Sequence, residues 1–138
     1  MMTDTDRAES FIAAARSYIG TPWRHQGRSG NGVDCVGLVV LAARQCGIEA
    51  PLEANYGRFQ NYGQAKWHLK EFCRRVGVPL PGDLVLYKTT QNLHLAVITE
   101  IDETHRPIKV VHAQSETMKV VETGLSFPPT MFWRLVWP

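Results

Sequence analysis

The stretch that decides the fold is Gly32-Val33-Asp34-Cys35-Val36-Gly37-Leu38-Val39, in which a thiol separates a polar loop from an apolar run. Residues 21–34 are rich in Gly and polar residues and predict a loop, whereas residues 35–46 are apolar nearly all round and predict a central, buried helix. Cys35 would lie in the first turn of this helix, where the positive end of the helix dipole favours the thiolate over the thiol. A thiolate is the nucleophile in cysteine catalysis, so this position suggests an enzyme. The alternative is that Cys35 is a small buried hydrophobic residue, and the local sequence favours neither.

Composition sets broad limits on what the protein does. The chain has 138 residues, 44% of them hydrophobic and 20% charged, which predicts one globular domain over residues 1–138. A net charge of +2 gives no indication of nucleic-acid binding, and no apolar run is long enough to insert into a membrane. The N-terminus is polar and acidic and does not resemble a signal peptide, so we expect synthesis in the cytoplasm.

Periodicity predicts helices first and strands later. The helices are expected at 6–19, 35–46 and 63–76, the first capped by Asp6. Period-two patterns with β-branched residues predict strands at 83–88, 94–101, 108–113, 117–122 and 131–137. This order predicts an α+β fold in which the N-terminal helices pack on a central antiparallel sheet of about five strands.

The other two cysteines are interpreted as packing residues. Cys46 ends the helix that Cys35 begins, and Cys73 lies on the apolar stripe of the helix expected at 63–76. Three cysteines with no C-x-x-C spacing argue against a disulfide framework and against a zinc ribbon.

Two of the five histidines lie on neighbouring predicted strands. If the chain reverses near residues 103–105, His94 lies across from residues 112–116, so that His94 and His112 share one face of the sheet. With Cys35 packed nearby, they would form a nucleophile, a base and an orienting group, with Gln114 as a substitute for the third. Both histidines could instead be half-buried strand residues, or could bind zinc together with Cys35. His25, in the glycine-rich loop, could contact a ligand or only pack the loop.

At these residues the chain resembles the NlpC/P60 family of cysteine peptidases, which have a papain-like fold. The similar blocks are Tyr18–Trp23, Gly32–Val39, Pro81–Val85, His94–Ile98 and Val111–Ala113, in the order that the family has them. The most similar members are short stand-alone proteins encoded with phage or prophage tail genes and with gene-transfer-agent-like particles. The resemblance therefore implies tail or tail-like particle proteins as partners and action at the cell wall after incorporation into a particle.

The resemblance also implies an activity and a site. The expected reaction is hydrolysis of the bond between D-γ-glutamate and a diamino acid in the peptidoglycan stem peptide, without a cofactor or a metal. Cys35 would be the nucleophile, His94 the general base and His112 the residue that orients His94. Substrate-binding roles are expected for Trp23, His25, Asp34 and Gln114.

Two positions depart from the family pattern, since many members have Tyr at Trp23 and Ser at Val36. Neither change removes a catalytic group, but Trp23 offers only an N–H donor where a hydroxyl is usual. Two other functions stay open: an inactive structural tail subunit, and a cytosolic thiol amidase or acyltransferase acting on another small peptide or lipid. The aromatic segment 127–138 is expected to be a last strand that covers the sheet edge, or else a docking surface.

Overall fold

A computed structural model describes residues 1–53, 62–89, 92–125, 127–129 and 131–138 of the chain. The helices are α1 (Asp4–Arg16), α2 (Cys35–Gln45) and α3 (Tyr62–Leu69). The strands are β1 (Arg28–Ser29), β2 (Gly32–Val33), β3 (Cys73–Val76), β4 (Leu84–Lys88), β5 (Leu93–Ile101), β6 (Pro107–Gln114), β7 (Lys119–Gly124) and β8 (Met131–Leu135). No helix among the described residues is long and apolar enough to cross a membrane.

Six strands form one antiparallel sheet in the order β3-β8-β4-β5-β6-β7, and β1 pairs with β2 in a separate small ribbon. The expected α+β class and antiparallel sheet are confirmed, with one strand more than expected. The C-terminal strand β8 lies inside the sheet, between β3 and β4, so the expectation that it covers the edge is wrong. Trp133 on this strand is accordingly buried.

The two N-terminal helices match the sequence pattern apart from their ends. Thr3 caps α1 and forms a capping box with Asp6, one turn earlier than the cap expected at Asp6 itself. Helix α1 also ends at Arg16, three residues before the predicted end at 19. Helix α2 is buried along most of its length, as its all-round apolar sequence predicts.

The helix predicted over 63–76 is wrong in its second half. Helix α3 ends at Leu69, and Cys73–Val76 form strand β3, in which Cys73 pairs with Leu135 of β8. The pattern of apolar residues fits a helix locally, but hydrogen bonding to the C-terminal strand outweighs that preference. Cys73 is still buried in the core and Cys46 packs partly against it, as expected of packing residues.

Alternating side chains divide the central sheet into two faces. One face carries the residues that form the main core with α1 and α2: Leu84, Leu86, Leu95, Val97, Val111 and Ala113. The other carries a smaller cluster of Val85, Tyr87, Ala96, Ile98 and Val110. Strands β5 and β6 pair from Val97–Val111 to Ile101–Pro107, so His94 and His112 lie just before and after the paired region.

Candidate active site

The carboxylate of Asp34 fixes the start of α2. Its Oδ1 accepts the backbone N–H of Gly37 at 2.7 Å and so caps the helix. The same oxygen accepts Nη1 of Arg28 at 3.0 Å, and Oδ2 accepts the backbone N–H of Gln26 at 3.0 Å. Asp34 is buried and is therefore paired with a cation that is itself mostly buried. These contacts join the loop to the helix that begins at Cys35.

Two glycines allow the loop to lie directly on the first turn of α2. A Cβ atom at Gly37 would collide with the backbone carbonyl of Gly27, and one at Gly27 would collide with the backbone of Gly32. The neighbouring Val36 is buried in the core. The Gly-rich pattern around Cys35 therefore serves close packing of backbone on backbone.

The thiol of Cys35 lies against strand β5. Backbone N–H groups of Leu95 and Val36 donate toward it and lower its pKa, but burial and the charge of Asp34 outweigh them and raise the pKa to about 12. The expectation that the helix N-terminus favours a thiolate is therefore wrong for this enclosed site, because loss of solvation dominates. Leu95 directly follows His94, so the contact brings the thiol to the part of β5 that carries this histidine.

The two histidines expected on one face are in direct contact. Nε2 of His94 lies 2.7 Å from Nδ1 of His112, and the rings meet edge to face at 4.9 Å between centroids. Nε2 of His112 lies 2.8 Å from Oγ1 of Thr123 on β7. Both rings therefore have side-chain partners and belong to one chain of hydrogen bonds.

Burial keeps both imidazoles uncharged. Loss of solvation lowers the pKa of His94 to about 3, with a further contribution from His112. It lowers the pKa of His112 to about 4, against a smaller opposing effect of Glu116. At neutral pH the resting site thus holds a neutral thiol and two neutral imidazoles. A base in that form can accept the thiol proton as the sulfur attacks.

Tyr87 is a site residue that the sequence interpretation missed. It pairs with His94 across β4 and β5, and their rings lie 5.3 Å apart, edge to face. Its hydroxyl is 3.5 Å from Nδ1 of His112, and its ring stacks on Phe127 at 5.9 Å. The signal was present, because the predicted strands 83–88 and 94–101 are close in sequence, and pairing them as a hairpin brings the end of the first beside the start of the second.

The residues expected to bind substrate differ in their surroundings. Trp23 is half-buried against the core, and its backbone N–H donates to the carbonyl of Met118 at 2.8 Å. His25 is exposed in the loop that follows. Gln114 ends β6 two residues after His112, and its Oε1 accepts the hydroxyl of Thr117 at 2.9 Å. Their roles in binding stay predictions, as does that of Asp34.

The zinc alternative lacks a ligand set in the part of the chain that the structure describes. There, no three His, Cys, Asp or Glu side chains are grouped so that they could hold a metal ion.

Acid should destabilise the fold through the two histidines. Their pKa values are about 3 and 4 when folded against 6.5 for an ordinary histidine, so below pH 6.5 the unfolded chain binds more protons. Stability is thus highest above pH 6.5 and falls as the pH drops toward 4. We expect the free energy of unfolding in urea to fall by at least about 2 kcal/mol between pH 7 and 4.5, a range in which most carboxylates stay ionised. His112→Asn should reduce this fall, and equal stability of the wild type at both pH values would contradict the expectation.

Comparison with known proteins gives the family to which the chain belongs. The family model described as "NlpC/P60 family" matches residues 20–126, which include Cys35, His94 and His112. No curated protein is significantly similar in sequence.

Solved structures show the same fold at low sequence identity. The NlpC/P60 domain of the peptidoglycan hydrolase SagA has a TM-score of 0.61 at 19% identity, over 91% of this chain and 96% of that one. The peptidoglycan hydrolase RipB of Mycobacterium tuberculosis has a TM-score of 0.69 at 20% identity, over 99% of this chain and 70% of that one. An NLP/P60-family protein similar to a lipoprotein from Staphylococcus aureus has a TM-score of 0.70 at 18% identity, over 100% of this chain but 44% of its own length. With a family model that spans most of its length and a fold that these structures share, the chain belongs to the NlpC/P60 family.

Proposed function

We propose that the protein is a cysteine peptidase that hydrolyses an amide bond of the peptidoglycan stem peptide. The observation that carries the proposal is the buried Cys35 thiol at the start of α2, held beside the segment of β5 from which His94 contacts His112 at 2.7 Å. A nucleophile, a base and a group that orients the base are the parts that acyl transfer requires. Two structurally similar proteins are named peptidoglycan hydrolases, which supports the substrate class.

The proposed reaction has two steps. In the first, Cys35 attacks the amide carbonyl while its proton passes to His94, and the protonated His94 then gives that proton to the leaving amine. This breaks the C–N bond and leaves a thioester on Cys35. In the second, His94 takes a proton from water, the hydroxide attacks the thioester, and the released thiolate regains the proton. The backbone N–H of Cys35 is the proposed donor to the oxyanion in both steps.

The finer assignment follows the motifs that resemble the family. We propose the bond between D-γ-glutamate and the diamino acid as the one cleaved. We further propose that the protein reaches the wall as part of a phage tail or tail-like particle, because the segment Trp23–Arg28 and Val36 resemble the phage-tail branch of the family. Attachment to a particle would replace affinity for the wall with a high local concentration.

Digestion of a matched pair of substrates tests the proposal. We expect release of the diamino acid with a free amine from stem peptides containing the γ-linked D-glutamate, and none from the α-linked L-glutamate isomer, with products identified by mass spectrometry. Separate digestions of diaminopimelate-type and lysine-type peptidoglycan give the preferred diamino acid.

The other hypotheses predict different results in the same assay. An inactive tail subunit would cleave neither isomer although its fold and thiol are intact. A cytosolic thiol amidase or acyltransferase would spare both isomers and act on another amide or ester in a panel of small peptides and lipids. Either result would overturn the proposed reaction.

A further inference from the structure

We propose that Thr123 is a positioning residue that sets the tautomer of His112 and, through it, makes Nδ1 the basic atom of His94. The inference deepens the proposed function and rests on it. Thr123 is half-buried on β7, where it pairs with Val110 of β6, so the strand adjoining that of His112 supplies this hydroxyl.

Three hydrogen-bond contacts join four groups into one chain. The hydroxyl of Thr123 donates to the carbonyl of Gly124 at 3.1 Å. Oγ1 of Thr123 lies 2.8 Å from Nε2 of His112, and Nδ1 of His112 lies 2.7 Å from Nε2 of His94. The chain begins at the carbonyl oxygen of Gly124, which can only accept a hydrogen bond.

This carbonyl acceptor determines which group donates and which accepts at every hydrogen bond of the chain. Since the single hydroxyl proton of Thr123 goes to Gly124, Oγ1 accepts, and Nε2 of His112 must carry a proton. A neutral imidazole carries only one proton, so Nδ1 of His112 accepts from Nε2 of His94. His94 is then protonated at Nε2, and its lone pair is at Nδ1. With the reverse direction, Nδ1 of His94 would already hold a proton and could not accept another.

The other polar groups around His112 are compatible with this direction. The hydroxyl of Tyr87 lies 3.5 Å from the same Nδ1 and can donate to it, at a longer distance than His94. Glu116 acts on His112 only through its charge and opposes the lowering of the histidine pKa. Thr123 is therefore the group in contact with Nε2 of His112 that can fix where its proton lies.

The first test reads the tautomers without any substrate. Nitrogen-15 correlation spectra of the resting protein should show His112 and His94 both protonated at Nε2. Thr123→Val keeps the shape of the side chain and removes the hydroxyl, and we expect it to add the Nδ1–H form of both rings. Thr123→Ser should restore the wild-type spectrum. A wild-type His112 protonated at Nδ1, or a spectrum unchanged in Thr123→Val, would overturn the inference.

The second test uses turnover of the stem peptide. We expect Thr123→Val to lower kcat roughly tenfold at unchanged KM, the scale of one lost hydrogen bond, with recovery in Thr123→Ser. Thr99→Val is the matched control, because it removes a hydroxyl from β5 that contacts Glu122 and the Lys109 carbonyl and not a histidine. Equal losses in Thr99→Val and Thr123→Val would overturn the inference. If the spectra show the expected tautomers but neither the wild type nor any variant cleaves peptidoglycan, the proposed function fails and the tautomer assignment stands.

Discussion

Replacing Cys35 with Ser is expected to abolish stem-peptide hydrolysis, with kcat/KM at least about a thousandfold below wild type. The substitution replaces one sulfur atom with oxygen and keeps the shape of a side chain that is only 9% exposed, so the fold should persist. A hydroxyl loses its proton far less readily than a thiol. In a site where burial already raises the thiol pKa to about 12, the histidine cannot compensate for this difference.

The measurement is kcat/KM with the γ-linked substrate, together with thermal unfolding to show that the variant is folded. Cys46→Ser is the matched control, since Cys46 is half-buried at the other end of α2. We expect it to keep the activity of the wild type. A Cys35→Ser variant with more than about a tenth of the wild-type activity would mean that Cys35 is not the nucleophile. The mass of a trapped acyl-enzyme, found on wild type alone, gives independent evidence for the thioester.

Most of what positions Cys35 could be predicted from sequence, because it is local. The apolar run after Cys35 forms the buried helix α2, and the reversal near residues 103–105 brings His94 to His112. The glycine at 37 is needed where the loop crosses the helix, a requirement visible in the sequence only as a motif.

Features that depend on distant parts of the chain could not be predicted in this way. Cys73–Val76 form a strand only because β8, which lies some sixty residues later, pairs with them. The raised pKa of Cys35 has the same origin, since the helix start by itself favours the thiolate and only the packing of other elements removes the solvent. Thr123 was missed because its role depends on the register of β7 against β6.

The second large effect is expected for His94→Asn, which should lower kcat/KM roughly a thousandfold, within the usual range for loss of a general base. Asn keeps a polar group on β5 but has no basic nitrogen. The residual reaction must then start from thiolate already present, which is scarce because burial raises the pKa of Cys35 to about 12. The residual rate should therefore rise about tenfold per pH unit from pH 7 to 9. The wild-type rate should be nearly level there, because a histidine of pKa about 3 is already neutral.

In the proposed mechanism His112 acts on the substrate only through His94, so His112→Asn should cost less activity, on the order of tenfold to a hundredfold. The double variant should be little worse than His94→Asn alone, since residues that work as one unit are not additive. His105→Asn is the control: His105 is exposed in a loop at a φ of +64°, a conformation that Asn tolerates well. If the double variant loses kcat/KM by the product of the two single losses, His112 has a role of its own in contact with the substrate. Its effect is then not transmitted through the 2.7 Å contact between Nδ1 of His112 and Nε2 of His94.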